Sequence, residues 1–195
     1  KGIKVGVLDT GIDYNHPDLA AAYKGYRAET GVDPKNVDPS TVKGWDFVNN
    51  DADPMETTYK EWKNTTNPEF HPSLGTAYYT SHGTHVSGTI AAGQNNPVDY
   101  AVKGVAPDVD LYAYKVLGEY GSGTTEGVLA GIDKAVSDGM DVINLSLGAS
   151  INDPLYPTSV AINNAMLSGV VSVVAAGNTG PTEKTLGAPG ASAFG

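Results

Sequence analysis

Short apolar runs alternate along this chain with segments in which apolar residues recur every three or four positions. The runs are rich in Val, Ile and Leu and predict buried strands at residues 3–8, 44–48, 111–117, 142–148 and 170–175. The helical spacing predicts helices at 81–92, around 128–136 and from about 155 to 168. This alternation indicates an α/β fold, in which a mostly parallel sheet is flanked by helices in three layers with right-handed crossovers.

Three segments lack such a pattern. Residues 20–43 are predicted to be loop. Residues 49–80 are dominated by Asn, Asp, Pro and Tyr and are interpreted as a surface insertion of about thirty residues, longer than compact domains usually carry. Residues 179–195 are rich in turn formers, and we expect the sheet to be incomplete at the C-terminus.

The composition restricts the classes of partner. The formal net charge is −10, with 22 acidic and 12 basic residues. Nucleic acids and anionic membranes both require clustered Lys and Arg, so neither is an expected partner. The 24 glycines follow no repeat and indicate tight turns and close packing. There is no cysteine, and no apolar run approaches the length of a membrane-spanning helix.

Two polar residues occupy special places in the predicted fold. Asp9 ends the first strand, at the sheet edge where ligand sites of open α/β folds lie. His82 begins the 81–92 helix, whose small residues predict burial. The positive end of a helix dipole favours the neutral imidazole that a general base requires. Taken alone, Asp9 could equally cap a turn, and His82 could be a capping or core histidine.

Four motifs together resemble the signature blocks of the subtilisin-like serine proteases. They are Asp9-Thr10-Gly11, His82-Gly83-Thr84-His85-Val86, Asn144-Leu145-Ser146-Leu147-Gly148 and Ala175-Ala176-Gly177-Asn178. Their order is that of the family, and they span most of the chain. Within the family, residues 44–56 and the long insertion resemble the larger secreted bacterial members, especially the minor extracellular protease group. The resemblance implies an extracellular, secreted endopeptidase that hydrolyses peptide bonds in proteins and requires no cofactor.

The resemblance assigns a role to three residues. Asp9 corresponds to the carboxylate that orients the base, and His82 to the base that takes the proton of a serine. Asn178 corresponds to the side-chain donor that stabilises the oxyanion, for which a neutral amide is suitable. Without the family context, Asn178 could equally be a turn residue that follows a strand.

The resemblance also implies a substrate cleft between two segments. An extended peptide would lie between them as an added strand. One wall is Ser146, Leu147 and Gly148, and the opposing wall contains Glu119, Tyr120 and Gly121. Glu119 is expected to disfavour acidic substrate residues upstream of the cleaved bond. Asn144 is expected to brace its strand.

One block of the family is absent from this sequence. The nucleophile belongs to a Gly-Thr-Ser-Met-Ala block at the start of a later helix, and no such block occurs here. Ser192 imitates it superficially, but it follows Asn178 closely and no helix-forming run comes after it. We therefore interpret residues 1–195 as the N-terminal portion of a peptidase catalytic domain, inactive by itself.

The expected partners follow from that interpretation. They are a protein or peptide substrate, the remaining part of the domain, and a propeptide. The alternative is a non-catalytic, subtilase-like protein that binds peptides without cleaving them. A Gly-Thr-Ser-Met-Ala block further downstream would separate the two.

Asp18 is the metal ligand that the resemblance implies. It corresponds to a calcium ligand in well-known subtilisins, and residues 94–102 offer further oxygens for a structural calcium ion. Two other sites are open on residue type alone. One is an oxygen-rich site at Asp51, Asp53 and Glu56, which competes with a solvated acidic loop. The other is a zinc site at Asp9, His82 and His85, which leaves the remaining motifs unexplained.

Overall fold

Parallel strands and the helices between them form the core of the described residues, 2–57 and 80–194, in a computed structural model. The strands are β1 (Lys4–Asp9), β2 (Trp45–Asp46), β3 (Asp110–Lys115), β4 (Val142–Leu145) and β5 (Val171–Val174). The α-helices are α1 (His82–Ala91), α2 (Thr125–Ser137) and α3 (Pro157–Leu167), and 3₁₀ turns cover Pro34–Asn36 and Pro39–Thr41. The sheet order is β2-β3-β1-β4-β5, with every neighbouring pair parallel. The predicted α/β fold is confirmed.

Side chains alternate between the two faces of the sheet, and helices cover both faces. On one face Leu8 packs in a cluster with Ile132 of α2 and Ile162 of α3. On the other face Val7 packs in a cluster with Ala91 of α1. Period-two alternation along the strands and helices on both sides together produce the three layers.

Each of the five predicted strands includes residues beyond the observed one, by Ile3 at β1 and by Val116 and Leu117 at β3. In the segment 44–48, only β2 pairs, because the Asp46 carboxylate accepts the N–H groups of Val48 at 2.7 Å and Asn49 at 2.8 Å and turns the chain. The predictions of 142–148 and 170–175 were also too long. Beyond Leu145 the chain leaves the strand ladder and becomes a loop.

Specific side-chain contacts order the loop between residues 20 and 43. Tyr23 forms an isolated parallel bridge with Leu111 of β3. The Arg27 guanidinium lies 5.3 Å from the ring centres of both Tyr14 and Tyr23 and donates to the Tyr14 carbonyl oxygen at 2.9 Å. The bridge with Leu111 joins residues distant in sequence, and the Arg27 contacts depend on side-chain geometry, so the hydrophobic pattern gave no sign of either.

The interpretation of 49–80 as a surface insertion is right for the exposed Asn49 and Asn50 and wrong for residues 51–57, which are buried or partly buried. Asp51, Ala52 and Glu56 are 8%, 1% and 4% exposed. The backbones of Asp46 and Asp51 exchange two hydrogen bonds, at 2.9 and 3.1 Å, which fold the segment back onto β2. Residues 58–79, the rest of this prediction, lie outside the described residues.

Helix α1 was predicted to be buried, and this is right for one face only. Gly83, Ser87 and Ala91, four positions apart, are buried. His82 and His85 are exposed. The helix therefore packs one narrow, small-residue stripe against the sheet and leaves its histidines accessible.

Apolar side chains are exposed on β5, which is the outermost strand at one side of the sheet. Val171 is 58% exposed and Val173 is 50% exposed. Apolar edge strands are usually covered by further structure, which protects their free hydrogen-bonding groups and apolar side chains.

Candidate active site

Asp9 and His82 meet at the carboxyl end of β1. Asp9 ends that strand and is buried, whereas His82 occupies the first turn of α1 and is half exposed. The Nδ1 atom of His82 lies 2.8 Å from Oδ1 of Asp9, and the Thr10 N–H donates to the same oxygen at 2.7 Å. When Nδ1 carries the proton and donates to this carboxylate, Nε2 keeps the lone pair that a general base uses.

Helix α1 approaches the end of β1 closely because Gly83 has no side chain. A Cβ atom at this position would collide with the carbonyl oxygen of Gly11. The Gly83 N–H also donates to Thr10 Oγ1 at 2.8 Å. Gly83 therefore provides the space, and Thr10, next to Asp9, provides the acceptor that holds the first turn of the helix.

A cleft of about 600 Å³ opens beside His82. Residues 120–123, from the loop between β3 and α2, line it together with residues 146–149, from the loop after β4. The predicted substrate-binding residues that line it are Tyr120, Gly121, Ser146, Leu147 and Gly148. Glu119 is not among its lining residues, so its predicted influence on substrate charge would act from beside the cleft.

Two polar groups shape the walls of the cleft. Desolvation, and then the charge of Glu119, raise the pKa of the Tyr120 phenol, so that this ring stays neutral under ordinary conditions. The Asn144 side-chain amide donates to Ser146 Oγ at 3.0 Å. Asn144 thus makes the kind of bracing contact that the sequence indicated, where β4 ends and the cleft wall begins.

Asn178 lines a neighbouring, smaller cavity of about 240 Å³. Residues 146–149 line both this cavity and the cleft that contains His82, so the two spaces share one wall. Asn178 is exposed and lies in the loop after β5. It directly follows Gly177, whose φ of 98° is in the left-handed region that favours glycine. The structure therefore brings Asn178 near the cleft wall without placing it in the cavity that His82 lines.

Comparison with known proteins assigns this arrangement to a family. The peptidase S8 family model, described as the subtilase family, matches residues 1–194. The chain belongs to the subtilase family. The chain spans between a fifth and about half of the length of the two relatives and the solved structure described below.

Two subtilase relatives and one solved structure illustrate the similarity. Minor extracellular protease Vpr of Bacillus subtilis strain 168 is 48% identical over 192 residues, which cover 98% of this chain and 20% of Vpr. Subtilisin DY of Bacillus licheniformis is 36% identical over 194 residues, covering 96% of this chain and 52% of the relative. The structure of Sphericase superposes with a TM-score of 0.64 at 33% identity, covering 97% of this chain and 50% of that one.

Among the described residues, no serine hydroxyl forms a hydrogen bond with His82. Ser192, the superficial candidate, is buried and does not line the cleft, and its Oγ has no hydrogen-bond partner within the described part of the chain. Its backbone N–H donates to the Pro189 carbonyl oxygen at 2.9 Å. The position of Ser192 gives no support to a nucleophilic role.

The Asp18 carboxylate binds backbone N–H groups. Its Oδ1 accepts from the N–H of Asn95 and, at 2.9 Å, from that of Asn96. Both donors bind Oδ1, and no group of three or more His, Cys, Asp or Glu side chains suited to a metal occurs in residues 2–57 and 80–194. A calcium site at Asp18 would have to be completed by the oxygens of residues 94–102, and it stays a prediction.

The two other metal arrangements are not assembled in the structure. His85 lines a cavity of about 630 Å³ that is separate from the cleft lined by His82. Asp53 instead accepts a hydrogen bond from the Tyr14 hydroxyl at 2.9 Å, and Glu56 accepts one from the Thr84 hydroxyl at 2.9 Å. These side chains hold neighbouring segments together.

Sequence reasoning missed two buried charged residues near the site. Lys115, at the end of β3, is 3% exposed, and its Nζ donates to the Met55 carbonyl oxygen at 3.0 Å and to Thr57 Oγ1 at 3.1 Å. Glu56 is 4% exposed, and burial raises its pKa. A lysine inside the apolar run 111–117 was the available signal for the first residue, whereas Glu56 lies in a segment whose polarity suggested surface.

Proposed function

We propose that this chain supplies the orienting carboxylate, the general base and much of the substrate cleft of a serine endopeptidase. The observation that carries the proposal is the 2.8 Å contact between Asp9 Oδ1 and His82 Nδ1 at the edge of the cleft. The nucleophilic serine would come from residues outside these 195, since the family's serine block does not occur in the sequence. Residues 1–195 would then be the N-terminal portion of the catalytic domain.

In the proposed mechanism, His82 Nε2 takes the proton of the serine hydroxyl as the serine oxygen attacks the scissile carbonyl carbon. The imidazolium that forms is stabilised by the buried Asp9 carboxylate, which also fixes the tautomer. His82 then gives the proton to the leaving amine, and the acyl-enzyme remains. Water attacks the acyl-enzyme by the same route and releases the acid and the free serine.

The proposal gives Asn178 the role of oxyanion donor. Its support is the motif Ala175-Ala176-Gly177-Asn178 together with the wall that its cavity shares with the cleft. A preorganised neutral amide stabilises charge that develops on the carbonyl oxygen and adds no charge of its own. Asn178 would have to turn towards the cleft when substrate binds.

The substrate would be an extended segment of a protein. The cleft is open and lies between two loops, at residues 120–123 and 146–149, which suits a peptide added as a strand between them. Extracellular secretion is proposed from the relative named minor extracellular protease Vpr. In the described residues, no helix has the length and apolar character needed to cross a bilayer.

Hydrolysis of internally quenched peptides by the full-length protein tests the proposal. We expect cleavage within the peptide, abolished by a reagent that acylates or phosphonylates serine and by His82→Ala. Binding of the same peptides without cleavage would instead support the alternative, a non-catalytic peptide-binding protein. Cleavage that persists in the His82→Ala variant would exclude the proposed mechanism.

A further inference from the structure

Three segments that are distant in sequence meet behind the Asp9–His82 pair. They are the end of β1, the first turn of α1 and residues 54–57. The Glu56 carboxylate lies among them, and Glu56 lines the cavity that also contains His85 and not the substrate cleft. Nothing in the proposed chemistry uses Glu56.

Each hydrogen-bonding group around the Glu56 carboxylate donates to it. The Thr84 N–H and the Thr84 hydroxyl both donate to Oε2, each at 2.9 Å. Thr10, beside this carboxylate, counteracts part of the rise in pKa that burial causes at Glu56. Neighbours that only donate hydrogen bonds favour the ionised carboxylate. A protonated carboxyl group would carry a hydrogen of its own, which these donors could not accept.

The Thr84 hydroxyl connects the Glu56 carboxylate to the backbone after β1. Thr84 Oγ1 accepts the N–H of Asp13, in the loop after β1, at 2.9 Å. Because the single proton of this hydroxyl is directed to Glu56, its lone pairs are left for the Asp13 N–H. The Glu56 carboxylate thus orients the link between the loop that follows Asp9 and the helix that carries His82.

The Glu56 backbone is itself held by the sheet side of the fold. Its N–H donates to the Ile12 carbonyl oxygen at 3.1 Å, and the Ile12 N–H donates to the Pro54 carbonyl oxygen at 3.0 Å. Lys115 Nζ donates to the carbonyl oxygen of the preceding residue, Met55, at 3.0 Å. The backbone of Glu56 is therefore fixed to the sheet side of the fold, and its carboxylate holds the helix in place.

We propose that Glu56 is a positioning residue for the Asp9–His82 pair, fixing the first turn of α1 against the loop after β1 through the N–H and the hydroxyl of Thr84. This rests on the proposed function only in giving the pair a catalytic role. Loss of the carboxylate releases Thr84, and the imidazole then samples orientations in which Nδ1 does not face Asp9. Misplacement by about 1 Å is enough to cost about a hundredfold in rate.

Several charged and titratable groups of the described residues lie near Glu56. Lys115 lowers the pKa of the Glu56 carboxyl through its charge. The cavity that Glu56 lines also contains Asp13, His16, Asp18, His85 and Lys103. The pKa values of these groups would change whenever a nearby charge is removed. The test therefore measures the His82 resonance and compares Glu56→Gln with a variant that removes a buried charge elsewhere.

Asp46→Asn is that matched variant. Asp46 is also buried, its pKa is also raised by burial, and it also accepts backbone N–H groups, at Val48 and Asn49. Lys115 acts on both carboxylates. No hydrogen bond joins Asp46 to α1 within the described residues. Each substitution removes one buried carboxylate. A difference between the two variants in kcat or in the His82 resonance would therefore indicate a positioning role for Glu56.

The experiment measures kcat, KM and the ¹⁵N spectrum of labelled histidine in the full-length protein. For Glu56→Gln we expect kcat to fall about ten- to a hundredfold with KM within about twofold, and the His82 Nδ1 resonance to move. Asp46→Asn should change neither. Equal effects of the two variants on kcat and on the His82 resonance, or no effect of Glu56→Gln, would overturn the proposal.

A second pair of variants covers the case in which Glu56→Gln does not fold. Thr84→Val removes the hydroxyl that joins Glu56 to Asp13, and Thr84→Ser keeps it. We expect Thr84→Val to lower kcat and move the His82 resonance more than Thr84→Ser does, and equal effects would refute the positioning role. If the unaltered protein cleaves no peptide, the proposed function fails, and the His82 resonance alone then decides for or against Glu56.

Discussion

The Asp9 carboxylate and the His82 imidazole are joined by a 2.8 Å contact between Oδ1 and Nδ1, although 73 positions separate the residues in the chain. Strand β1 and helix α1 bring them together, and Gly83 makes the approach possible. A buried carboxylate bound to one nitrogen of a half-exposed imidazole leaves the other nitrogen to act on a substrate. This relationship is the basis of the functional account and of the first prediction.

Asp9 and His82 should behave as one unit with the serine. Asp9→Ala and His82→Ala should each lower kcat of the full-length protein by several orders of magnitude, and the double variant should lose little more. The measurement is a double-mutant comparison of kcat with circular dichroism as the control for folding. Losses that add independently would contradict a shared catalytic unit.

Asn178→Ala should lower kcat by about 10²–10³ with little change in KM, the loss that removal of one oxyanion donor causes in subtilisin. The reason is that the amide acts on charge that exists only in the transition state. Asn152→Ala is a suitable control, because this exposed amide donates to the Leu186 carbonyl oxygen and lines neither the cleft nor the Asn178 cavity. An effect on KM alone would indicate a structural role for Asn178.

Two glycines of α1 should respond oppositely to alanine. At Gly83 the added Cβ would collide with the Gly11 carbonyl oxygen, so Gly83→Ala should lower the free energy of unfolding by about 1–3 kcal/mol and reduce kcat. At Gly88 no heavy atom lies within 4 Å of the added Cβ, so Gly88→Ala should raise the free energy of unfolding by about 0.5–1 kcal/mol. Urea unfolding measures both, and a destabilised Gly88→Ala would contradict the packing described for this helix.

The parallel strands follow from local features of the sequence, whereas the pairing of Asp9 with His82 was implied by the family resemblance. Apolar runs bounded by glycine or by polar residues predict the strands, and they place Asp9 at a strand end and His82 at a helix start. Asp46 and Glu56 could not be found in this way. Glu56 lies in a polar segment that becomes buried through contacts with distant residues such as Thr84, whereas Asp46 is a lone carboxylate inside a predicted strand.

Strand ends were missed for a related reason. The run 142–148 continues past Leu145 as Ser146, Leu147 and Gly148, yet the chain leaves the ladder there and forms a cleft wall. Ser146 and Leu147 are partly buried, and the sequence pattern does not distinguish such a loop from the end of a strand. The same limit applies to Asn178, whose cavity depends on residues 146–150 of another loop.

Asp46 should make stability depend on pH. Burial raises the pKa of its carboxyl above the ordinary value of 3.8, so the folded state holds this proton more tightly than the unfolded state does. The resulting stabilisation is present at acid pH and is lost as pH rises from about 3.8 through the raised value in the folded state. Urea unfolding of the wild type and Asp46→Asn between about pH 3.5 and 7 should show a steeper decline with pH in the wild type. Parallel curves for the two proteins would contradict the raised pKa.

The central claim is that Asp9 and His82 activate a serine that lies outside these 195 residues. Labelling of the full-length protein with a fluorophosphonate probe, followed by mass spectrometry of the modified peptide, tests it most directly. The account predicts stoichiometric modification of one serine beyond residue 195, lost in His82→Ala, with no labelling of the 195-residue chain alone. Modification of Ser192, or labelling that persists in His82→Ala, would contradict it.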